Sequence, residues 1–489
     1  MGDSVDAAGM PAELGALDYL MHRGEANPRT RSGIMGLELL DATPDWETFR
    51  NLFEMVSRRV LRLRQKVVVP TLPTAAPRWV VDPDFNLDFH VRRVRVPEPG
   101  GLREVLDLAE VSLQSPLDMS RPLWAATLVE GLADGRAATL LHLSHAVTDG
   151  VGSAAMFGQI YDLERHSPAR SMPPQPVPQD LSPDDLMRDG INHLPVALIS
   201  SARDALVGAL SMAGRTVRDP LSTVTGALSY ARSGARVVGQ ASESSPLLRR
   251  RSLTSRTEAL DIRLADLHRA AKAGGGSIND AYLAALSGAL GRYHRALGVP
   301  IATLPMAIPV NLRAEADPAG GNRFTGVNLA APVGVADPVE RMKRIRAQMT
   351  QRREEPAMDL IGSIAPLLSV FPTPVLEKVT GSMVAADVQA SNVAFYPGET
   401  YIAGAKVLRH YGIGPLPGVA MMVVLISRGG ECTVTVRYDR AAVREEKLFA
   451  TCLVQGFDEV LALAGEPAPH CVPASFPDPR STTRSESGS

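Results

Sequence analysis

Leu141-His142-Leu143-Ser144-His145-Ala146-Val147-Thr148-Asp149-Gly150 is the stretch on which the reading of this chain turns. Its first residues alternate as a β-strand does, which places Leu141, Leu143 and His145 on one face and His142 and Ser144 on the other. Asp149-Gly150 then supplies a turn, ahead of a helical pattern over 151–163. An imidazole that ends an apolar strand face titrates near neutrality and suits proton abstraction from a hydroxyl. The aspartate four residues on can brace the turn that aims it. A buried histidine bonded to backbone, followed by an ordinary Asp-Gly turn, fits the same residues, and on spacing alone it is the commoner outcome. Ser144 beside His145 does not make a nucleophile pair, because neighbours on a strand point to opposite faces and the chain has no G-x-S-x-G elbow.

Working outward, Phe49, Leu52, Phe53, Val56 and Val60 recur at helical spacing within 45–63. Segments 79–81 and 89–96 read as strands, the second alternating β-branched residues with arginines. A helix over 102–113 and strands over 122–130 and 137–143 follow. Prolines 168, 173, 174, 176, 178 and 183 mark a linker or surface crossover. Residues 186–240 are alanine-rich and helical in pattern, and 241–256 is polar and carries Arg249-Arg250-Arg251. Beyond lie helices at 266–272, 280–293 and 339–352, strands at 302–309 and 326–333, and a hairpin pairing 419–427 with 432–438. The pattern is an α/β (α+β) fold. Its expected units are an N-terminal domain over 1–175, a linker and helical crossover over 176–255, a C-terminal domain over 256–476, and a disordered tail over 477–489.

At 489 residues the chain exceeds one ordinary hydrophobic core. Hydrophobic residues at 45% and charged residues at 21% suit a folded globular protein. A formal net charge of -2 leaves no basic surplus for a phosphate backbone, so nucleic acid is excluded as the expected partner. Cys432, Cys452 and Cys471 are too few and too scattered for a disulfide framework or a zinc site, so no metal is expected and core thiols in a reducing cytoplasm are the simple reading. The N-terminus lacks the basic start and apolar core of a signal peptide, and Gly2 lacks the downstream Ser or Thr of a myristoylation signal. The longest uncharged apolar stretch, 360–376, contains Pro366, Pro372 and Pro374, which would break a spanning helix. It could lie on a membrane surface or form an apolar wall inside the protein, the second being the commoner outcome.

Several further segments resemble the bacterial wax ester synthase/diacylglycerol acyltransferase family along nearly the whole chain. The family's HHxxxDG is matched by Ser144-His145-Ala146-Val147-Thr148-Asp149-Gly150, its PLW element by Pro122-Leu123-Trp124, and its ND element by Asn279-Asp280. Its SNV segment is matched by Ser391-Asn392-Val393, followed by Tyr401-Ile402-Ala403-Gly404-Ala405 and Tyr411-Gly412-Ile413-Gly414-Pro415. The segment 79–91 also looks like it. Each element alone is weak, whereas their order and spacing together are specific. The resemblance implies two chloramphenicol-acetyltransferase-like domains of mixed sheets flanked by helices, with an active site in a tunnel between them. It implies long-chain acyl-CoA as co-substrate, with no bound cofactor. A lipid alcohol would be the acceptor, diacylglycerol ahead of a fatty alcohol, with triacylglycerol as the product in the first case. His145 would be the general base and Asp149 a structural partner, paired with an arginine such as Arg313. Gly150, Asn279, Asp280, Ser391, Asn392 and Trp124 would line the substrate site. Contact with a membrane or lipid-droplet surface would be peripheral, on the cytoplasmic side.

One position departs from the family: Ser144 replaces the first histidine. The strand pleat turns that position away from His145, and His142 on the same face is a candidate substitute for the missing group. The departure also motivates a silent lipid-binding homologue as an alternative. A condensation enzyme acting on carrier-protein thioesters, which shares HHxxxDG, is disfavoured because no carrier or adenylation domain adjoins. Other matches have plain structural readings. Ser277-x-x-Asp280 before an alanine-rich helix is a capping box, Trp124 suits a core or tunnel wall, and Ser391 with Asn392 is expected to order a loop at the domain junction. Arg249–Arg251 could meet CoA phosphates or anionic head groups, a solvated loop being commoner. Gly274-Gly275-Gly276 lacks the flanks of a nucleotide-binding loop.

Overall fold

A computed structural model describes residues 11–147, 156, 158–168, 170–193, 241–311, 324–353, 386–396, 398–466 and 468–473. Asp149, Gly150, Arg313, most of the alanine-rich crossover, the 360–376 stretch and the polar tail lie outside the described residues. The first half contains α1 (Ala16–Gly24), β1 (Ile34–Leu40), α2 (Trp46–Arg59), β2 (Gln65–Val68), β3 (Arg78–Val81), α3 (Leu87–His90), β4 (Val91–Arg95), α4 (Leu102–Gln114), β5 (Trp124–Glu130) and β6 (Ala137–Leu143). The second half contains β7 (Ser255–Arg263), α5 (Leu264–Ala273), α6 (Ile278–Ala296), β8 (Leu304–Asn311), β9 (Phe324–Ala331) and α7 (Pro338–Arg353). It continues with β10 (Val388–Ala394), β11 (Tyr401–Ile402), β12 (Ala405–Ile413), β13 (Met421–Arg428), β14 (Glu431–Asp439), α8 (Glu446–Leu461) and β15 (Val472–Pro473).

Local chemistry accounts for the boundaries. Asp45 caps α2 by accepting the Thr48 amide at 2.9 Å, and the helix turns Phe49, Phe53 and Val56 into the core. The β13–β14 hairpin pairs Arg428 with Glu431 across Gly429 and Gly430, whose φ values of 57° and 86° are those a two-residue turn demands. The segment 89–96 divides, its first residues ending the short α3 and only 91–95 forming β4. The expected helix over 151–163 does not reach its end, because Asp162 forms a β-bridge with Tyr401.

The strands form two mixed sheets and a small ribbon. The first has the order β11-β12-β1-β6-β5-β4 and the second β15-β7-β14-β13-β10-β8-β9, while β2 pairs with β3. In the first sheet β4 runs parallel to β5, and in the second β10 runs parallel to both β13 and β8. The two halves are interlocked. After β10 the chain leaves the second sheet, places β11 and β12 at the edge of the first beside β1, and returns as β13. Residues 401–413, inside the expected second unit, therefore complete the first sheet.

The second sheet packs against α6, which is buried on nearly every side. Small residues allow that: a Cβ at Gly456 of α8 would stand 2.5 Å from the Ala289 amide nitrogen of α6. The first sheet has a core on each face. One gathers Phe49, Phe53, Trp124, Leu141 and Leu143 under α2. The other gathers Leu140, Val105 and Leu106 of α4 together with Ala259 and Tyr411 from the second half. The polar centre of that contact is Glu110 on α4, which accepts hydrogen bonds from Ser255 Oγ at 2.6 Å, Arg437 Nε at 3.2 Å and Thr257 Oγ1.

Candidate active site

β6 is an inner strand of the first sheet, with Leu143 opposed by Ile34 on one side and by Trp124 on the other. Every residue of β6 is buried, so its apolar alternation appears as two separate cores and not as one wet face. The strand ends at Leu143. The Ser144 amide donates to Leu123 O at 3.0 Å, and the Val147 amide donates back to Ser144 O at 3.0 Å, closing a turn. His145 lies in that turn and is half-buried. This corrects the expectation that strand alternation carries through to His145: the strand ends at Leu143, and His145 lies in the turn over 145–147.

Ser144 and His142 each have a definite environment. Ser144 is fully buried, its hydroxyl donating to Glu25 Oε1 at 2.8 Å and accepting from the Ala146 amide at 3.2 Å. Glu25 is buried too, and its Oε1 accepts a second hydroxyl, that of Ser32, at 2.9 Å. Burial raises the Glu25 carboxyl above the usual range, opposed by those hydroxyls and by Arg31. His142 is buried beside Gly33, where a Cβ would stand 2.7 Å from its Nε2, and Nε2 has no hydrogen-bond partner. Burial, helped by the charges of Arg437 and Arg31, lowers its pKa to about 3. His142 is therefore a neutral core imidazole. Ser144 is paired with Glu25, a contact that the sequence reading missed. A buried glutamate at the end of α1 carries no local signal.

Trp124 stands beside the motif turn as a core residue. Its indole Nε1 donates to Leu63 O at 2.7 Å, and its ring stacks on His90 at 4.7 Å and 13°. His90 stacks in turn on Phe85, and its Nδ1 donates to Trp124 O at 2.8 Å. Asn279 and Asp280 open α6 in the other half. Asp280 and Ser277 form the expected capping box: the Asp280 amide donates to Ser277 Oγ at 3.2 Å and the Ser277 amide to Asp280 Oδ2 at 2.8 Å. That capping accounts for Asp280, whereas Asn279 is half-buried on the first turn. Ser391 and Asn392 do not order a loop. They belong to β10, opposed to Val424 and Leu425 of β13. Their side chains take opposite faces. Ser391 shares the side of Met422, Val424 and Ile426, the residues that meet Gly412 of β12 and Gly414 just after it, while Asn392 is exposed. The β10–β8 pairing is confined to Val388 with Met306 and Gln389 with Ala307, so the two strands part just before Ser391.

The basic run is split. Arg249 and Arg250 are exposed, whereas Arg251 is half-buried, with its guanidinium on Leu248 O and with Asp387 and Asp439 acting on its charge. Among the described residues no group of three His, Cys, Asp or Glu side chains could hold a metal ion, and no helix is long and apolar enough to cross a membrane. The three cysteines are buried free thiols, with Cys432 pushed up to about 12 by burial.

Two interlocked mixed sheets, with a histidine in a turn at the end of an inner strand, define a chloramphenicol-acetyltransferase-like fold. The wax ester synthase/diacylglycerol acyltransferase from Marinobacter aquaeolei VT8 has it too, with a TM-score of 0.62 at 20% identity over 93% of this chain and 100% of that one. So does the first condensation domain of the calcium-dependent antibiotic synthetase, with a TM-score of 0.57 at 16% identity over 94% and 98%. The model of the wax ester synthase/diacylglycerol acyltransferase catalytic domain matches residues 4–282, and that of the family's C-terminal domain matches 320–460. A Mycobacterium tuberculosis (strain H37Rv) protein provisionally named a diacylglycerol O-acyltransferase is 77% identical over 476 residues, 97% of each chain. A second protein of that strain, so named, is 33% identical over 68% of this chain and 71% of its own length. This chain belongs to the wax ester synthase/diacylglycerol acyltransferase family and is an acyltransferase.

Proposed function

We propose that the protein transfers a long-chain acyl group from acyl-CoA to the free hydroxyl of diacylglycerol, giving triacylglycerol and CoA, with His145 as general base. The observation that carries the reading is the placement of His145. It is half-buried in a hydrogen-bonded turn at the end of β6, in a chain 77% identical to a relative provisionally named for that reaction. The neutral imidazole takes the proton from the acceptor hydroxyl as its oxygen attacks the thioester carbonyl. Collapse of the tetrahedral intermediate breaks the C–S bond, and the imidazolium returns the proton to the departing CoA thiolate. Such general-base assistance is typically worth about 10²–10⁴ in rate. No covalent enzyme intermediate is needed. Asp149, outside the described residues, is proposed to have the structural role that the family resemblance implies. Gly150, Asn279 and Ser391 are proposed to border the substrates, and Asn392, exposed on the other face of β10, is the weaker member of that set. The product is apolar, which supports work at a cytoplasmic membrane or lipid-droplet surface.

The test is an acceptor panel: purified protein, long-chain acyl-CoA, and either diacylglycerol or a fatty alcohol, with lipid products separated and identified. Triacylglycerol formed faster than wax ester supports the assignment, and the reverse order moves the fatty alcohol to first place. No ester from either acceptor overturns the catalytic reading in favour of a lipid-binding homologue.

A further inference from the structure

Glu25 follows α1 and is 2% exposed, far from the motif in sequence but in direct contact with it. One carboxylate oxygen takes two hydroxyls, Ser144 Oγ at 2.8 Å and Ser32 Oγ at 2.9 Å. The Ser144 hydroxyl in turn accepts the Ala146 amide at 3.2 Å. The contacts therefore reach the residue before His145 and the residue after it. The loop that brings Glu25 also holds its own shape, since Arg31 Nε donates to Glu25 O at 3.2 Å. It presses on β6 a second time at Gly33, where only the absence of a Cβ leaves room for His142.

We infer that Glu25 is a positioning residue for acyl transfer: through the Ser144 hydroxyl, its carboxylate fixes the turn that carries His145. The serine at the motif's first position is then one half of a built pair and not a lost group. The inference rests on His145 being the base. Three features support it. Ser144 is fully buried, so its hydroxyl has no water to bond and depends on Glu25 and Ala146. Glu25 is a carboxylate held out of water, of the kind that gathers at functional sites. A hydroxyl that donates to a carboxylate and accepts from a backbone amide has both roles used, and this leaves the turn little freedom to rotate. A base that must meet a hydroxyl and then a thiolate is sensitive to displacement, and a misplacement of about 1 Å can cost on the order of 10²-fold.

The experiment compares wild type with Ser144→Ala, Glu25→Ala, Glu25→Gln, the double alanine variant and His145→Ala. The readouts are kcat and KM for acyl-CoA in acceptor-dependent CoA release, the urea midpoint, and amide exchange across 143–147. Ser144→Ala and Glu25→Ala are each expected to lower kcat by about 10- to 100-fold with KM nearly unchanged. The double variant should fall no further than the worse single one, because both remove the same link. Glu25→Gln keeps the accepting oxygen but buries an amide NH2 where Oε2 now has no partner. It should therefore recover most of kcat while remaining less stable, a combination that a merely structural role does not produce. Full kcat in Ser144→Ala overturns the inference, as does a Glu25→Gln variant that folds yet is as slow as Glu25→Ala. If His145→Ala is as active as wild type, the base assignment fails instead, and amide exchange decides the anchor. Faster exchange at Ala146 in Ser144→Ala then supports it, and unchanged exchange overturns it.

Discussion

Gly288→Ala should destabilise the protein, although alanine in place of glycine inside a helix ordinarily gains about 1 kcal/mol. Gly288 lies within α6, and a Cβ there would stand 2.6 Å from Arg341 Nη2 and also strike Glu459 Oε1. Neither neighbour can yield cheaply. Arg341 is 1% exposed, with Nε donating to Ala284 O at 3.0 Å and Nη1 to Val335 O at 2.9 Å and Ala336 O at 3.0 Å. Its Nη2 pairs with Glu459, whose other oxygen takes Arg292 at 2.5 Å. Forcing a methyl into packed surroundings costs about 1–3 kcal/mol. Breaking a buried pair so that one charge loses its partner costs about 3–5 kcal/mol. Partial displacement of the pair, less the propensity gain, leaves a net loss of about 2–4 kcal/mol. Urea denaturation followed by far-ultraviolet circular dichroism measures it. A variant as stable as wild type, or more so, would refute the claim that the Arg341–Glu459 pair rests on this glycine. The outcome bears on the site, since α6 carries Asn279 on its first turn.

Acid should weaken the fold well above the carboxylate range. Burial lowers His142 from 6.5 to about 3, and His22 and His90 each to about 4. The folded state therefore favours the neutral ring, a contribution fully present above about 6.5 and lost as pH falls from there toward the folded values, at about 2 kcal/mol for each ring by pH 5. Equal unfolding free energies at pH 7.5 and 5 would contradict this. Glu110→Ala removes the carboxylate that Arg437, 7% exposed, meets between the two halves. It should cost about 3–5 kcal/mol and expose β7 and α4 to limited proteolysis, whereas unchanged protection would show the apolar contact to suffice. Trp124→Ala should cost about 3–5 kcal/mol of stability as a core truncation, and calorimetry showing a negligible loss would remove Trp124 from the core.

Periodicity made part of the fold legible. The strand 137–143 coincides with β6, and the Arg428-Gly429-Gly430 turn announced the β13–β14 hairpin. Other strands were less visible. β1 is buried on both faces, so Ile34–Leu40 shows no clean alternation. β12 pairs with a strand from the other half, and nothing local in Ala405–Ile413 states where its partner lies. Ser391 and Asn392 read as loop formers because serine and asparagine favour turns, yet pairing with β13 overrides that preference. The capping role of Asp280 was readable because Ser277 lies three residues away. The partner of Ser144 was not, because a contact across 119 residues leaves no trace in either neighbourhood.

The central claim is that His145 takes the acceptor's proton. Its most direct test is the rate of CoA release from long-chain acyl-CoA in the presence of diacylglycerol, for wild type and for His145→Ala shown to be folded by circular dichroism. The account predicts acceptor-dependent release that falls by about 10²-fold or more in the variant. Release at the same rate from both proteins would contradict it.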